Sequence, residues 1–408
     1  MEGVRCPILF VFVLAVAGCS RAPDAPFPDW LGTVKTAHAG SSFEASKTLL
    51  DAALDAEREA GDYLGRVSFT PAQKTLLIER LREPVNRAVR ASRESPRLVD
   101  RSTAPFETLE GQPGFRMIGR SLAWQIDRLV ATEEYGPAVH LAVDATQFGF
   151  ALGSGSASDA ALGLRIVDEA RLALAPALGK LSPRELRELG TGLEAALRRR
   201  PAASNLIENE RRTMLAAVQT IQDAYRDRKL GRLIDELGRD IEPAIDYLEN
   251  LRSEPSQVRA AYFEDFAAEA EAWVDHFATS MRRNARQRDG QPDPPLAEER
   301  PWRRFSRHFF QTLAPLVLQR EETVCRTRLL ALNALISAEV KVNGEAPGSL
   351  TGISADLTTD PYSGKQFLYR PEGSRFLLYS VGADLRDDGG ETDETHRTPD
   401  VRVEGEGL

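Results

Sequence analysis

The stretch DPYSGKQFLYRPEGSRFLLYSVGADLRDDGG, Asp360 to Gly390, decides how the last part of this chain folds. Asp360-Pro361 and Ser363-Gly364 are turn chemistry, since Pro has no N–H to give a ladder and Gly364 tolerates the positive φ of a tight turn. Gln366–Arg370 and Arg375–Val381 are rich in aromatic and β-branched residues. Joined across Pro371-Glu372-Gly373-Ser374, they predict a hairpin. Gly382 and Ala383 end the second strand, and an acidic loop follows. Upstream, Leu329, Leu332, Ile336 and Val340 share one helical face, the expected seat for the sheet.

Working outward, 408 residues with 42% hydrophobic and 28% charged side chains are ordinary for a folded chain, and the length predicts two domains. The net charge is −9. From Asp384 to Leu408 there are nine acidic and three basic residues, a net of −6, so the excess sits in the tail. The near-neutral remainder argues against nucleic acid as a partner.

The N-terminus bears on location. Arg5 precedes an apolar run from Ile8 to Ala17, too short for the ~20 residues that span a bilayer. It reads as a secretory signal ending in Val16-Ala17-Gly18-Cys19. Those last residues resemble the bacterial lipobox, which implies cleavage before Cys19, a diacylglyceryl thioether on its sulfur, and membrane attachment facing the periplasm. Residues 1–18 are thus expected to be a signal peptide and 19–40 a tether, Pro-rich at its start. Cys6 leaves with the signal and Cys19 carries lipid, so Cys325 is left alone and no intrachain disulfide forms.

From Ser41 to about residue 300 the chain reads as a helical domain. Leu49, Leu50, Ala53 and Leu54 share a face. Thr70-Pro71-Ala72-Gln73 and Ser182-Pro183-Arg184-Glu185 are helix starts: a capping hydroxyl, Pro at the first helical position, and Gln or Glu three residues past the cap. After the first start, Leu76, Leu77, Leu81, Val85 and Val89 are the expected buried stripe. Leu181 and Leu186 are placed to staple the second. Phe115–Val130 and Ala138–Leu152 read as paired helices, and Gly153-Ser154-Gly155-Ser156 as a flexible joint. Further helices are expected at Leu206–Arg226, Lys229–Leu251 and Gln257–Arg283, then a linker at Asn284–Pro295. Gly61-Asp62-Tyr63 and Glu134-Tyr135 resemble tetratricopeptide hairpins, but no period is sustained. The expected fold is mainly α with a small C-terminal α+β domain. It is an irregular helical bundle or loose solenoid, then a long helix packed on a short antiparallel β-sheet. Residues 301–403 form that helix and head, and 404–408 a tail.

The head stretch resembles the C-terminal domain of the major pseudopilin of type II secretion systems. The shared features are Asp360-Pro361, Gly364-Lys365, the strand ending Tyr369-Arg370, the run Leu378-Tyr379-Ser380-Val381-Gly382-Ala383-Asp384, and Gly389-Gly390. The likeness covers the last fifth of the chain. It also resembles bacterial lipoproteins in which a helical region precedes such a head. It implies an α+β head, partners among envelope or secretion-system proteins, and a structural calcium ion. Carried onto this sequence, Asp384 and Asp400 are the ligand aspartates and Val381 gives a carbonyl. Asp388 belongs to the same crowded acidic loop, where hard oxygen ligands suit calcium. Leu385 stands where the family carries Gly.

Other chemistry lacks its required neighbours. No two of the five histidines sit at zinc-ligand spacing. Gly153-Ser154-Gly155 is not a nucleophile elbow. Neither Gly179-Lys180 nor Gly364-Lys365 has the hydroxyl or the earlier Gly of a phosphate loop. Glu208 and Glu210 flank Asn209 and face different ways. Arg198-Arg199-Arg200 before Pro201 closes a helix, where cations suit the dipole. The arginines around Trp302 and Phe305 read as helix ends and core. The sequence therefore points to a lipid-anchored interaction protein. The alternatives are an exported carboxylate-dependent hydrolase and a peptide-binding helical-repeat protein.

Overall fold

A computed structural model describes residues 41–98, 101, 109–288, 300, 302, 304–306, 313–391 and 400–403. Cys19, the apolar N-terminal run and the tether lie outside the described residues. The protein is mainly α, with a two-stranded antiparallel sheet near its C-terminus. Among the described residues, no helix is long and apolar enough to cross a membrane.

Helix α1, Ser41–Ala60, buries Leu49, Ala52, Ala53, Ala56 and Ala60 at the spacing of one face. Thr70 caps α2, Pro71–Arg80, with both halves of the expected box: its hydroxyl accepts from Gln73 N, and the Gln73 side chain accepts from Thr70 N. The helix does not run on, because Leu81 has ψ 1° and α3, Arg82–Ser92, starts after it. Leu76 lies off the stripe, 39% exposed, while Leu77, Leu81, Val85 and Val89 are buried at successive one-turn spacing across the break.

Helices α4, Gln112–Ala131, α5, Tyr135–Leu152, and α6, Ala157–Leu174, pack against one another. A Cβ on Gly163 would lie 2.1 Å from the Gly149 carbonyl oxygen, so only Gly allows this crossing of α5 and α6. Helix α7, Pro183–Arg198, starts at the expected Ser182–Glu185 capping box, with Leu181 and Leu186 both buried beside it.

Next come α8, Ala203–Arg226, α9, Gly231–Leu237, α10, Glu242–Leu251, and α11, Ser256–Arg282. The single helix expected over Lys229–Leu251 is two, because Gly238 takes φ 96°, which favours glycine. These helices gather a second apolar cluster around Tyr225, Phe263, Phe266, Trp302 and Phe305, distinct from the one shared by α1 to α7.

Helix α12, Leu313–Asn343, joins the two clusters. Pro315 falls in its first turn, where a missing N–H breaks no helical bond, so it does not interrupt the helix. Rather than one stripe, its middle is buried almost all round: Leu329 to Ala334 and Ile336 to Ala338 are covered. Helices α6 and α7 lie on it, and so does the sheet. Gly190 of α7 lets that contact close, since a Cβ there would meet the Leu335 side chain at 2.6 Å.

Candidate functional site

The segment after α12 carries a short helix, α13, Ala355–Thr358, then strands β1, Leu368–Glu372, and β2, Arg375–Tyr379. Glu372 pairs with Arg375 across a two-residue turn, Gly373-Ser374, where Gly373 has φ 64°. The hairpin is tighter than the sequence predicts because Pro371 enters β1 opposite Phe376. An edge strand tolerates that, since no neighbour needs the missing N–H. Phe367 and Leu378 are buried in the same cluster as Leu329, Leu332 and Ile336, and Tyr369 and Phe376 pack against it. The Tyr369 hydroxyl donates to Pro347 O at 2.6 Å, and Ala346 N donates to Gly373 O at 2.7 Å, fixing both ends of the hairpin.

Asp360 anchors the loop before β1. Its carboxylate is buried and accepts from Tyr362 N at 2.9 Å and from the Ser380 hydroxyl at 2.8 Å, so this turn is tied to the end of β2. Ser380 and Val401 then exchange two backbone hydrogen bonds of 3.0 Å, and the C-terminal segment returns alongside β2.

That return delivers Asp400 under the acidic loop. Its Oδ2 accepts from Gly390 N at 2.7 Å and Asp388 N at 3.1 Å. Its Oδ1 is buried with no partner among the described residues. Burial raises the Asp400 carboxyl above the usual carboxylate range against the pull of those two amides. The side chain of Asp384 is exposed and accepts from Arg386 N at 3.1 Å, whereas Asp388 and Val381 are partly buried. Tyr379 donates to Asp387 at 2.7 Å, which holds that carboxyl low and helps burial push the phenol up to about 12. Among the described residues, no three acidic, His or Cys side chains converge as a metal cage. Asp400, with a buried and unpartnered oxygen, is the one whose environment fits a cation ligand. Residues 392–399, which include Asp393, lie outside the described residues.

Two further polar sites bear on chemistry. Gly153–Ser156 is not a flexible joint: Ser154 is fully buried, and Ser156 caps α6 through a box with Asp159. Around it runs a polar seam between the two apolar clusters. Arg101 donates to both oxygens of Asp159 at 2.9 Å and to Glu110 O at 2.7 Å. Asn209 donates to Leu98 O at 2.8 Å and accepts from Arg101 N. Glu210 accepts from Ala157 N at 2.6 Å, and burial pushes its carboxyl up to about 7. Each member is tied to backbone or a partner, which is how a seam locks elements in register. Glu208 faces elsewhere, partly exposed beside Arg212.

An open cleft of about 580 Å³ has Phe69 and Trp124 on its floor and Lys74, Arg120, Asp127 and Glu169 around it. Burial raises both carboxyls, Asp127 facing Lys74 and Glu169 facing Arg120 and Arg165. Their environments push them the same way, so nothing separates them into an acid and a base. Cys325 is buried, and burial raises its thiol, as suits a core residue.

The backbone of α8 brings Asn209 and Glu210 to the seam. The sequence signal for its other wall, Ser156-Ala157-Ser158-Asp159, is a capping pattern hidden among small residues. Comparison with known protein families, with curated proteins and with solved structures finds no match to this chain.

Proposed function

We propose that this chain is a lipid-anchored interaction protein of the bacterial envelope, whose pseudopilin-like head docks on envelope or secretion-system partners. The observation that carries the reading is Leu385. Where the pseudopilin loop has Gly, this residue keeps a left-handed backbone, φ 62°, although a side chain disfavours it. Glycine takes such a backbone without steric cost, so the turn is compatible with the Gly that the resemblance implies. Further support comes from the hairpin seated on α12 and from Asp400 gathering the amides of Asp388 and Gly390. Cys19 is the attachment point in this reading, and the acidic loop is presented outward.

The test is crosslinking in the native envelope followed by capture of the full chain. Envelope or secretion-system proteins should be recovered, and their recovery should fall when Cys19→Ser releases the chain from the membrane. Capture of the same partners by a chain whose head is unfolded by Leu378→Asp would sink the docking role.

Calcium belongs to the same proposal. Asp400, with Asp384, Asp388 and the Val381 carbonyl, would hold it, and the ion would supply positive charge to a loop of crowded carboxylates. Calcium at about a hundred times its Kd should stabilise the full chain by about 2.7 kcal/mol relative to chelator, and Asp400→Asn should abolish the difference. An unchanged thermal midpoint removes the metal.

A further inference from the structure

Where α7 ends, the chain turns at Pro201-Ala202 against α12 and α13, and a cleft of about 310 Å³ opens between them. Its walls carry Arg198, Arg200, Arg320 and Arg328, with Glu194 and Asp356 as the acidic residues. Arg198 is paired with Glu194, one turn back on α7. The other three arginines make no ion pair among the described residues, although the charge of Glu321 reaches Arg320. Among the described residues Arg320 donates to uncharged acceptors, the Met281 carbonyl at 3.4 Å and its sulfur at 3.9 Å. Arg328 donates to Thr359 O at 2.6 Å, while its buried Nε has no partner. Arg200 has no side-chain hydrogen bond or ion pair with any described residue, and the charges that reach it are those of Arg320 and Arg328. Asp356 and Asp360 act on Arg328 through space without ion-pair contact.

Among the lining residues, outside the Arg198–Glu194 pair, three guanidinium charges face one carboxylate, a surplus of two positive charges in a partly enclosed space. Glu321 and Asp360 act on it from outside the lining. Proteins seldom hold like charges together away from water unless something relieves them. Guanidinium forks match the oxygens of phosphate, and a phosphate dianion balances the surplus where a monocarboxylate balances half. The cleft volume sits at the small end of ligand pockets.

We propose that this cleft binds a phosphate dianion, either inorganic phosphate or the terminal phosphate of a small monoester, held by Arg200, Arg320 and Arg328. Arg200 belongs to the helical body, while Asp356 and Thr359 belong to the segment that leads into the head. An anion here therefore clamps the two together. This chemistry is independent of what the head docks on.

The test is calorimetric titration of the full chain with inorganic phosphate and with glycerol phosphate in low-chloride buffer, against acetate as control. Phosphate should bind and acetate should bind more weakly, with glycerol phosphate separating a free-phosphate site from a monoester site. Arg200→Gln should raise Kd about tenfold or more, as loss of a charged hydrogen-bond donor does. In phosphate-free buffer the same substitution should raise the melting temperature, because it removes a repelling charge; a purely structural arginine would lower it. Arg320→Gln should weaken phosphate in the same way. The proposal fails if Arg200→Gln keeps the phosphate affinity, if acetate binds equally well, or if Arg200→Gln melts lower without phosphate. Binding only to phosphatidylglycerol vesicles, whose phosphodiester carries a single charge, also overturns it.

Discussion

Replacing Arg101 with Met should lower the unfolding free energy by about 3–5 kcal/mol, the usual loss when one partner of a buried ion pair is removed. Asp159 is fully buried and holds both arms of that guanidinium, so the substitution strands a carboxylate between two apolar clusters. It also frees Glu110 O, a tie between the ends of the 101–110 segment. Urea unfolding measures the loss. Adding Asp159→Asn keeps an oxygen for the α6 cap but removes the stranded charge, so the double variant should be less destabilised than the sum of the two single variants. A single variant within about 1 kcal/mol of the parent, the range of exposed pairs, would show that the seam does not hold the fold.

The second large effect is one of pH, and Glu210 sets it. Burial raises its carboxyl from 4.5 to about 7, the amide of Ala157 pulls it back, and the charge of Asp159 adds to the rise. A carboxyl raised in the folded state binds its proton more tightly there than in the unfolded chain. Its contribution is whole below the unfolded value of 4.5 and is lost as pH rises through about 7. Across that window the parent should lose about 3 kcal/mol relative to Glu210→Gln, which keeps the acceptor for Ala157 and does not ionise. The measurement is the stability difference between the two proteins at pH 4.5, 6 and 7.5. A constant difference, or one that grows in favour of the parent, contradicts the assignment. Asp127, Asp168, Glu169 and Asp400 are also raised, and the pairwise comparison cancels their shared contribution.

What the sequence revealed was local. The boxes at Thr70 and Ser182 are written within four residues, and both close as read. The hairpin was legible because aromatic strands flank a Gly, and its seat on α12 because Leu329, Leu332 and Ile336 recur at helical spacing. What escaped depends on distant partners. Gly153–Ser156 has the composition of a linker, yet Leu98 and Asn209 hydrogen-bond Ser154 from across the chain. The surplus charge of Arg200 appears only when α12 brings Arg320 and Arg328 beside it, so a helix-end reading was complete on local grounds. The break at Leu81 has a local cause that a continuous stripe hides: Pro84 has no N–H for the Arg80 carbonyl and its ring crowds that oxygen, so α2 stops and α3 restarts. For Asp400, the acidic composition pointed to the loop, but only the pairing of Ser380 with Val401 determines which carboxylate lies beneath it.

The late position of α12 has a consequence for how the protein is made. Helices α6 and α7 are synthesised before the helix that lies on them, because α12 is encoded after α8 to α11. Until α12 arrives, the apolar faces of α6 and α7 that it covers are open, and nascent chains in that state are prone to stick to one another. A chain stopped after α11 therefore leaves those faces open, and its rescue requires the missing helix to be supplied in trans.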